Sequence, residues 1–219
     1  MTPGVAARTL RIMYRVAWGY LACFAAFQVA YALLGPYDQA ALTAWASTDV
    51  ANLTRDPVGC LVVSAFVTGG NGLAWVALIA LALFGANRAL GNRWTAVVCA
   101  TGHVAGTLVS EGIIAYRTGV GQLPGSDRYI TDVGPSYVVV SAIVIALMCG
   151  SWRARVAAAL DLAILVFAGQ IFAGLSRLDV AAVGHLTAIV TAAACTAALL
   201  VRRRRRPGQE TWPTPRPIA

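Results

Sequence analysis

Long apolar blocks, separated by short polar or glycine-rich stretches, dominate the chain. Most of them approach the ~20 residues that an α-helix needs to cross a bilayer. They lack the alternation of apolar and polar residues that marks the strands of a membrane β-barrel. The pattern therefore predicts an all-α membrane protein with six spanning helices, at roughly residues 12–34, 69–87, 94–115, 134–151, 156–175 and 180–201.

The first long loop contains two further apolar stretches. Residues 59–67 are too short to span a bilayer, and glycines separate them from the second helix, so a buried or interfacial segment is predicted. The segment "YDQAALTAWAST" has apolar residues at helical spacing, which suits a short helix in the outer interface with Trp45 at the membrane surface. A solvated loop is the alternative for this segment.

The arginines indicate the direction of the helices, because cytoplasmic loops retain basic residues. The loops of one side carry four arginines mixed with seven acidic residues, beginning with Asp38 and ending with Asp179. The other side carries most of the arginines and includes both ends of the helical region. Both termini are therefore expected in the cytoplasm. The arginines of this cytoplasmic side are Arg8, Arg11, Arg15, Arg88, Arg93, Arg153, Arg155 and Arg202 to Arg206.

Composition agrees with a membrane protein and disfavours other classes. The chain of 219 residues is 58% hydrophobic and 12% charged, about half the charged fraction of a soluble domain, with a mean hydropathy of +0.69. The net charge of +8 comes from arginines placed between apolar blocks, which indicates topology and no nucleic-acid partner. The five cysteines are scattered without metal-ligand spacing, which predicts buried thiols.

Three regions follow from this pattern. Residues 1–11 form a cytoplasmic N-terminus, 12–201 the six-helix domain, and 202–219 a basic, proline-rich, disordered cytoplasmic tail. The first apolar block is too long for a signal peptide and lacks a clear cleavage site, so it is expected to remain as a helix. Abundant alanine, and arginine without lysine, suggest a GC-rich bacterial genome and hence the bacterial plasma membrane.

Ser136 and His185 are predicted to lie at similar depths. The fourth and sixth helices both run inward, and at 1.5 Å per residue these side chains are ~6 and ~9 Å below the outer helix ends. A serine nucleophile needs a nearby base, and histidine is the commonest one. The alternative is structural, with the serine bonding a backbone carbonyl and the histidine joining two helices. Gly134, Ala188 and Ala192 are small residues that would allow close helix contact.

A polar stripe follows one face of the third helix, in "GHVAGTLVSEG". His103, Thr107 and Glu111 recur at four-residue spacing, with Ser110 beside them, so the stripe should face the bundle interior. It is expected either to form a polar wall of the Ser136 cavity or to join a structural network with Asp132 or Arg128. Asp161 in the fifth helix is an isolated acid, for which pairing or protonation is favoured over a proton relay.

The segments "DVGPSY", "VGHLTAIVTA" and "ALALFGANRALGNRW" resemble the rhomboid family of intramembrane serine proteases, and the resemblance extends from the first helix to the sixth. In that family a G-x-S-G motif opens the fourth helix, and a histidine in the sixth completes a Ser–His dyad. The resemblance implies Ser136 as nucleophile and His185 as base, in a six-helix rhomboid-like bundle with no metal or organic cofactor. Membrane-anchored substrates or clients are the implied partners.

Several positions depart from the family pattern. Tyr137 stands where a glycine follows the serine, and Ala188 stands where a glycine follows the histidine. The second helix has Leu73 and Ala77 near the positions where the family carries oxyanion-stabilising side chains, and loss of one such donor can cost ~10²–10³ in rate. Asn71 or backbone N–H groups near Ser136 are the candidate substitutes.

Three functions are compatible with these features to different degrees. The favoured one is an intramembrane serine protease of a divergent subgroup. The alternative is an inactive relative that binds the transmembrane segments of client proteins, which Tyr137 and the missing donors favour. A transporter is disfavoured, because the two halves of the sequence contain no inverted repeat and no matching pair of broken helices.

Overall fold

The computed structural model describes residues 14–68 and 70–205, and all regular structure in these residues is helical. This part of the chain contains eight α-helices, and two of the connections between them contain 3₁₀ turns, Gly125–Tyr129 and Leu175–Arg177. The α-helices are α1 Arg15–Ala32, α2 Pro36–Ala46, α3 Val50–Arg55, α4 Pro57–Ser64, α5 Gly72–Gly119, α6 Ser136–Cys149, α7 Trp152–Phe167 and α8 Val180–Arg205.

Each of the six predicted spans overlaps a helix, and one boundary differs substantially. The second and third spans correspond to the two helical parts of α5, which meet at Gly91, where the backbone is non-helical with a φ of 76° and a ψ of 171°. Helix α7 ends at Phe167 instead of near residue 175. A helix cannot continue through the next residues, because Gln170 has a positive φ of 50°. Among the described residues, α5 and α8 are long and apolar enough to cross a membrane, and α6 is apolar but shorter.

The first loop is largely helical. The segment predicted to be either an interfacial helix or a solvated loop forms α2. The short apolar segment forms α4, which begins where the Asp56 carboxylate accepts a hydrogen bond from the Gly59 N–H, and Cys60 and Ser64 are buried. At the other end, α8 extends to Arg205, so the predicted tail begins as helix. Residues 1–13 and 206–219 lie outside the described part of the chain.

Helix α6 lies at the centre of the bundle. Every residue from Tyr137 to Ala146 is buried, against α5, α7 and α8. Small residues allow the helices to approach closely: a side chain at Gly102 would collide with the Ser141 hydroxyl of α6 and approach the Ala188 carbonyl of α8 to 3.4 Å. The predicted serine thus lies at the end of the most enclosed helix of the fold.

Helix α1 lies at the edge of the bundle and packs on α5, burying Ala17 and Phe24. Its first turn has no cap from its own segment. Instead, the side-chain oxygens of Asn87 and Asn92 accept hydrogen bonds from the Ala17 and Val16 N–H groups, at 3.2 and 3.1 Å. The first N–H groups of a helix have no acceptors within that helix. Asn87 and Asn92, which lie near Gly91 in α5, therefore supply acceptors for the first turn of α1.

Candidate functional site

Ser136 is the first residue of α6, and the two residues before it set the direction in which the helix begins. Gly134 has a φ of 137°, which favours glycine, and Pro135 is the N-cap. The Val139 N–H donates to the Pro135 carbonyl at 2.9 Å, so the first N–H with a partner in the helix lies three residues after Ser136. The N–H groups of Ser136 and Tyr137 therefore have no acceptor within the helix and point out of its N-terminal end.

His185 lies near the start of α8 and is 6% exposed. Neither of its ring nitrogens makes a hydrogen bond with the described residues. The carbonyl groups of Ile171 and Ala181 lie close to the ring but do not meet hydrogen-bond geometry. A buried imidazole without a partner is unusual, because burying a polar group without a hydrogen bond is unfavourable.

Tyr137 is the side chain that joins α6 to this histidine. Its ring contacts the His185 ring edge-on at 5.0 Å between centroids and lies 6.0 Å from the His103 ring. Two glycines make the space for it: a side chain on Gly184 would collide with the end of the Tyr137 ring, and one on Gly106 would lie 3.3 Å from Cδ2. Tyr137 therefore occupies a slot between α5 and α8, which we call the glycine slot.

The Tyr137 hydroxyl leads from the glycine slot to Asp132, donating a hydrogen bond to Oδ2 at 3.1 Å. Burial raises the pKa of the Asp132 carboxyl, and the hydrogen bonds from Tyr137 and Thr48 lower it in part. Asp132 also lies on the wall of a groove of about 1010 Å³, between the C-terminal end of α5 and the segments before α6 and α8. Neither Ser136 nor His185 lines that groove.

The family model described as "Rhomboid-like protein" matches residues 14–206, a range that includes every described residue. The chain belongs to the rhomboid-like family. No curated protein and no solved structure matches it. Rhomboid-like proteins are embedded in membranes, and the two long apolar helices α5 and α8 agree with that environment.

Within this rhomboid-like protein, Ser136 and His185 begin adjacent helices without a direct hydrogen bond between them, since both imidazole nitrogens are unpartnered among the described residues. Ser136 is half-buried at the N-terminal end of α6. Catalytic hydrogen bonds are often long in ligand-free enzymes and tighten when substrate binds. The arrangement thus brings the two helix ends together but does not form the dyad contact.

The polar stripe of α5 is buried, as its spacing predicts. His103 Nε2 lies 2.8 Å from the Leu61 carbonyl of α4, so one end of the stripe anchors the first loop. Ser110 bonds the carbonyl groups of its own helix. Glu111 is 3% exposed and lies near the carboxylates of Asp132 and Asp49. The stripe therefore lies beside Tyr137 and Asp132 and contacts the first loop.

The other predicted positions lie away from the serine. Leu73 is 79% exposed and Ala77 is exposed, so this face of α5 presents no donor to the interior. The Asn71 side chain caps α5, where Oδ1 accepts from the Leu73 and Ala74 N–H groups. Ala188 is fully buried, and a side chain on Gly106 would lie 3.5 Å from its Cβ.

Asp161 is fully buried in α7, and neither carboxylate oxygen has a hydrogen-bond partner among the described residues. The predicted pairing is therefore absent there, and protonation is the remaining expectation. The sequence did not predict two features of the site. One is the part that Gly106 plays in the glycine slot. The other is the hydrogen bonding of Ser47 and Thr48 to Asp132. Thr48 and Asp132 are 84 residues apart in the chain, and no local pattern connects them.

Proposed function

We propose that this rhomboid-like protein is an intramembrane serine protease that cleaves membrane-anchored substrates near the outer membrane boundary. The observation that carries the proposal is the buried imidazole of His185, which has no hydrogen-bond partner in residues 14–68 and 70–205 and packs against Tyr137, the residue next to Ser136. A histidine that only joined two helices would be expected to use a ring nitrogen for a hydrogen bond. A catalytic base must keep one nitrogen free for the nucleophile.

The proposed reaction uses groups at the starts of α6 and α8. Ser136 Oγ attacks the substrate carbonyl while His185 takes the hydroxyl proton, and the same proton passes to the leaving amine as the C–N bond breaks. Water then hydrolyses the acyl-enzyme. The N–H groups at the start of α6 are the donors proposed for the oxyanion, because the expected side-chain donors are absent from α5. The mechanism requires no cofactor.

The proposal includes a topology. Residues 15–32, the two parts of α5, α6, α7 and α8 would be six spans with both termini in the cytoplasm, in a bacterial plasma membrane. The arginines support this orientation: Arg88, Arg93, Arg153 and Arg155 lie at helix ends on one side, together with Arg202 to Arg205 of α8. The start of α6 then faces the outer side, where membrane-anchored substrates would be cut.

A fluorophosphonate probe tests the chemistry on the purified full-length protein. We expect labelling of the wild type and its loss in both Ser136→Ala and His185→Ala. Ser126→Ala, a change at an exposed serine of the outer loop, is the matched control and should label normally. Absence of wild-type labelling would contradict protease activity, and labelling of Ser136→Ala would assign the nucleophile to another residue.

A second function is favoured by the outward-facing Leu73 and Ala77, which leave α5 without an oxyanion donor. It is an inactive rhomboid-like protein that binds transmembrane segments of client proteins. It predicts no probe labelling and no cleavage products, together with client co-purification that Ser136→Ala does not change. Probe labelling and substrate cleavage by the wild type, both lost in Ser136→Ala, would exclude this second function.

A further inference from the structure

The segment before Ser136 is hydrogen-bonded to the first loop at several points. The Thr48 N–H and hydroxyl donate to the Asp132 carbonyl at 2.9 and 3.0 Å, and the Asp132 N–H donates to the Ser47 hydroxyl at 3.0 Å. The Gly134 N–H donates to the Ser64 carbonyl at 2.9 Å. Ser47, Thr48 and Ser64 are each at most 1% exposed, so these bonds form away from solvent.

The Asp132 carboxylate is the point where the first loop and α6 meet. Its Oδ2 accepts from the Thr48 hydroxyl at 3.2 Å and from the Tyr137 hydroxyl at 3.1 Å. Hydroxyl groups from the first loop and from α6 therefore converge on one oxygen of this carboxyl group. Glu111 and Asp49 are acidic neighbours of Asp132, and nearby like charges disfavour an ionised carboxylate. The hydrogen bonds from Thr48 and Tyr137 act in the opposite direction, because they stabilise the charged form of Asp132.

Two independent contacts determine where the Tyr137 ring lies. The glycine slot confines its sides, and Asp132 holds its hydroxyl. The edge of the His185 ring packs on Tyr137, and no hydrogen bond from a described residue orients that imidazole. The Tyr137 ring packs on the His185 ring and Asp132 accepts the hydrogen bond of the Tyr137 hydroxyl, so these two contacts link Asp132 to the imidazole.

We propose that Asp132 is a positioning residue of the Ser136–His185 site, which acts through Tyr137 and is itself held by Thr48. The catalytic consequence rests on the proposed protease activity, whereas the effect on the imidazole does not. The competing explanation is that Asp132 only fastens the first loop to α6. In that case its removal would lower stability without changing the environment of His185.

The experiment compares variants of the full-length protein in detergent micelles by two measurements. The first is the fluorophosphonate labelling rate. The second is the imidazole NMR signal of His185, which is easily assigned because the chain has two histidines and His103→Gln removes the other signal. Asp132→Ala and Tyr137→Phe each remove one end of the same hydrogen bond. Asp132→Asn keeps an acceptor oxygen, and Asp127→Ala alters a partly exposed acid of the same outer region.

We expect Asp132→Ala and Tyr137→Phe to shift the His185 signal and to slow labelling about tenfold each, which corresponds to 1.36 kcal/mol. The double variant should be no slower than either single one, because both changes break one contact. Asp132→Asn should label at a rate near that of the wild type, and Asp127→Ala should match it.

An unchanged His185 signal in both Asp132→Ala and Tyr137→Phe would overturn the proposal, and so would fully additive effects. Should Asp132→Ala fail to fold, Tyr137→Phe and Thr48→Val provide the same comparison, with Thr54→Val as control because its hydroxyl bonds only the carbonyl of Ala51 in its own helix. If the wild type is not labelled, the protease proposal fails, and the NMR comparison still decides the role of Asp132.

Discussion

Replacing Gly184 by alanine tests whether the glycine slot holds Tyr137 in place. The added methyl group would collide with the Tyr137 hydroxyl and ring carbon Cζ and would lie 2.8 Å from Cε1. The ring cannot simply move to its other side, because Gly106 is closely packed against Cδ2. We therefore expect the ring to tilt out of the slot and to lose its hydrogen bond to Asp132.

The size of the effect follows from three contributions. Overfilling a packed interior costs about 1–3 kcal/mol. Losing a hydrogen bond to a charged group costs about 1.5–3 kcal/mol. Replacing glycine by alanine within a helix returns about 1 kcal/mol. The Gly184→Ala protein should consequently be less stable than the wild type by about 1.5–5 kcal/mol, the sum of these three contributions.

The measurement is unfolding by sodium dodecyl sulfate in mixed micelles, followed by the fluorescence of the six tryptophans. Gly112→Ala is the matched control, because that exposed position of α5 has nothing within 4 Å of a new side chain and should gain stability. In a Tyr137→Ala background, Gly184→Ala should no longer be destabilising. Equal stabilities of the two glycine variants, or an undiminished cost in that background, would refute the slot.

Three further changes test other parts of the fold. Asn87→Ala removes the buried acceptor of the Ala17 N–H and should lower the free energy of unfolding by about 1–3 kcal/mol, measured in the same micelles. Gly91→Ala places a side chain at a φ of 76° and a ψ of 171° and should cost about 1–3 kcal/mol. Because burial raises the pKa of Asp132, the folded state binds this proton more tightly than the unfolded chain does. Its contribution to stability is therefore present at low pH and is lost as the pH rises from about 4 through the raised pKa. When the free energy of unfolding is measured across this pH range, Asp132→Asn should show a weaker dependence on pH than the wild type.

The hydrophobic pattern alone predicts a helix where a single apolar block of the sequence forms a single helix of the structure, as for α1, α6 and α8. The end of α7 was not, because residues 168–174 are apolar enough to resemble a continued helix. Backbone geometry ends it: Gln170 and Leu178 have φ values of 50° and 61°. These values arise from the return of the chain to α8, a tertiary constraint that composition does not contain.

The helix positions of Ser136 and His185 were predictable from the sequence, and the contacts around them were not. The arginine distribution placed Ser136 and His185 near the same helix ends, and the structure has them at the starts of α6 and α8. The contact of Tyr137 with His185 depends on Gly106 and Gly184, which lie on two other helices. A single sequence gives no signal that a large residue on one helix is matched by small residues on its neighbours.

That match changes the meaning of the tyrosine beside the serine. The family pattern has a small residue after the serine, which lets two helices approach each other. Here the small residues lie opposite, at Gly106 and Gly184, so the large side chain is accommodated without an overfilled interior. A residue that merely blocked an abandoned site would need neither a matched slot nor a hydrogen bond from its hydroxyl to Asp132. Tyr137 has both, and its ring contacts the one histidine whose nitrogens are both free among the described residues. These contacts favour a reshaped site over a filled one.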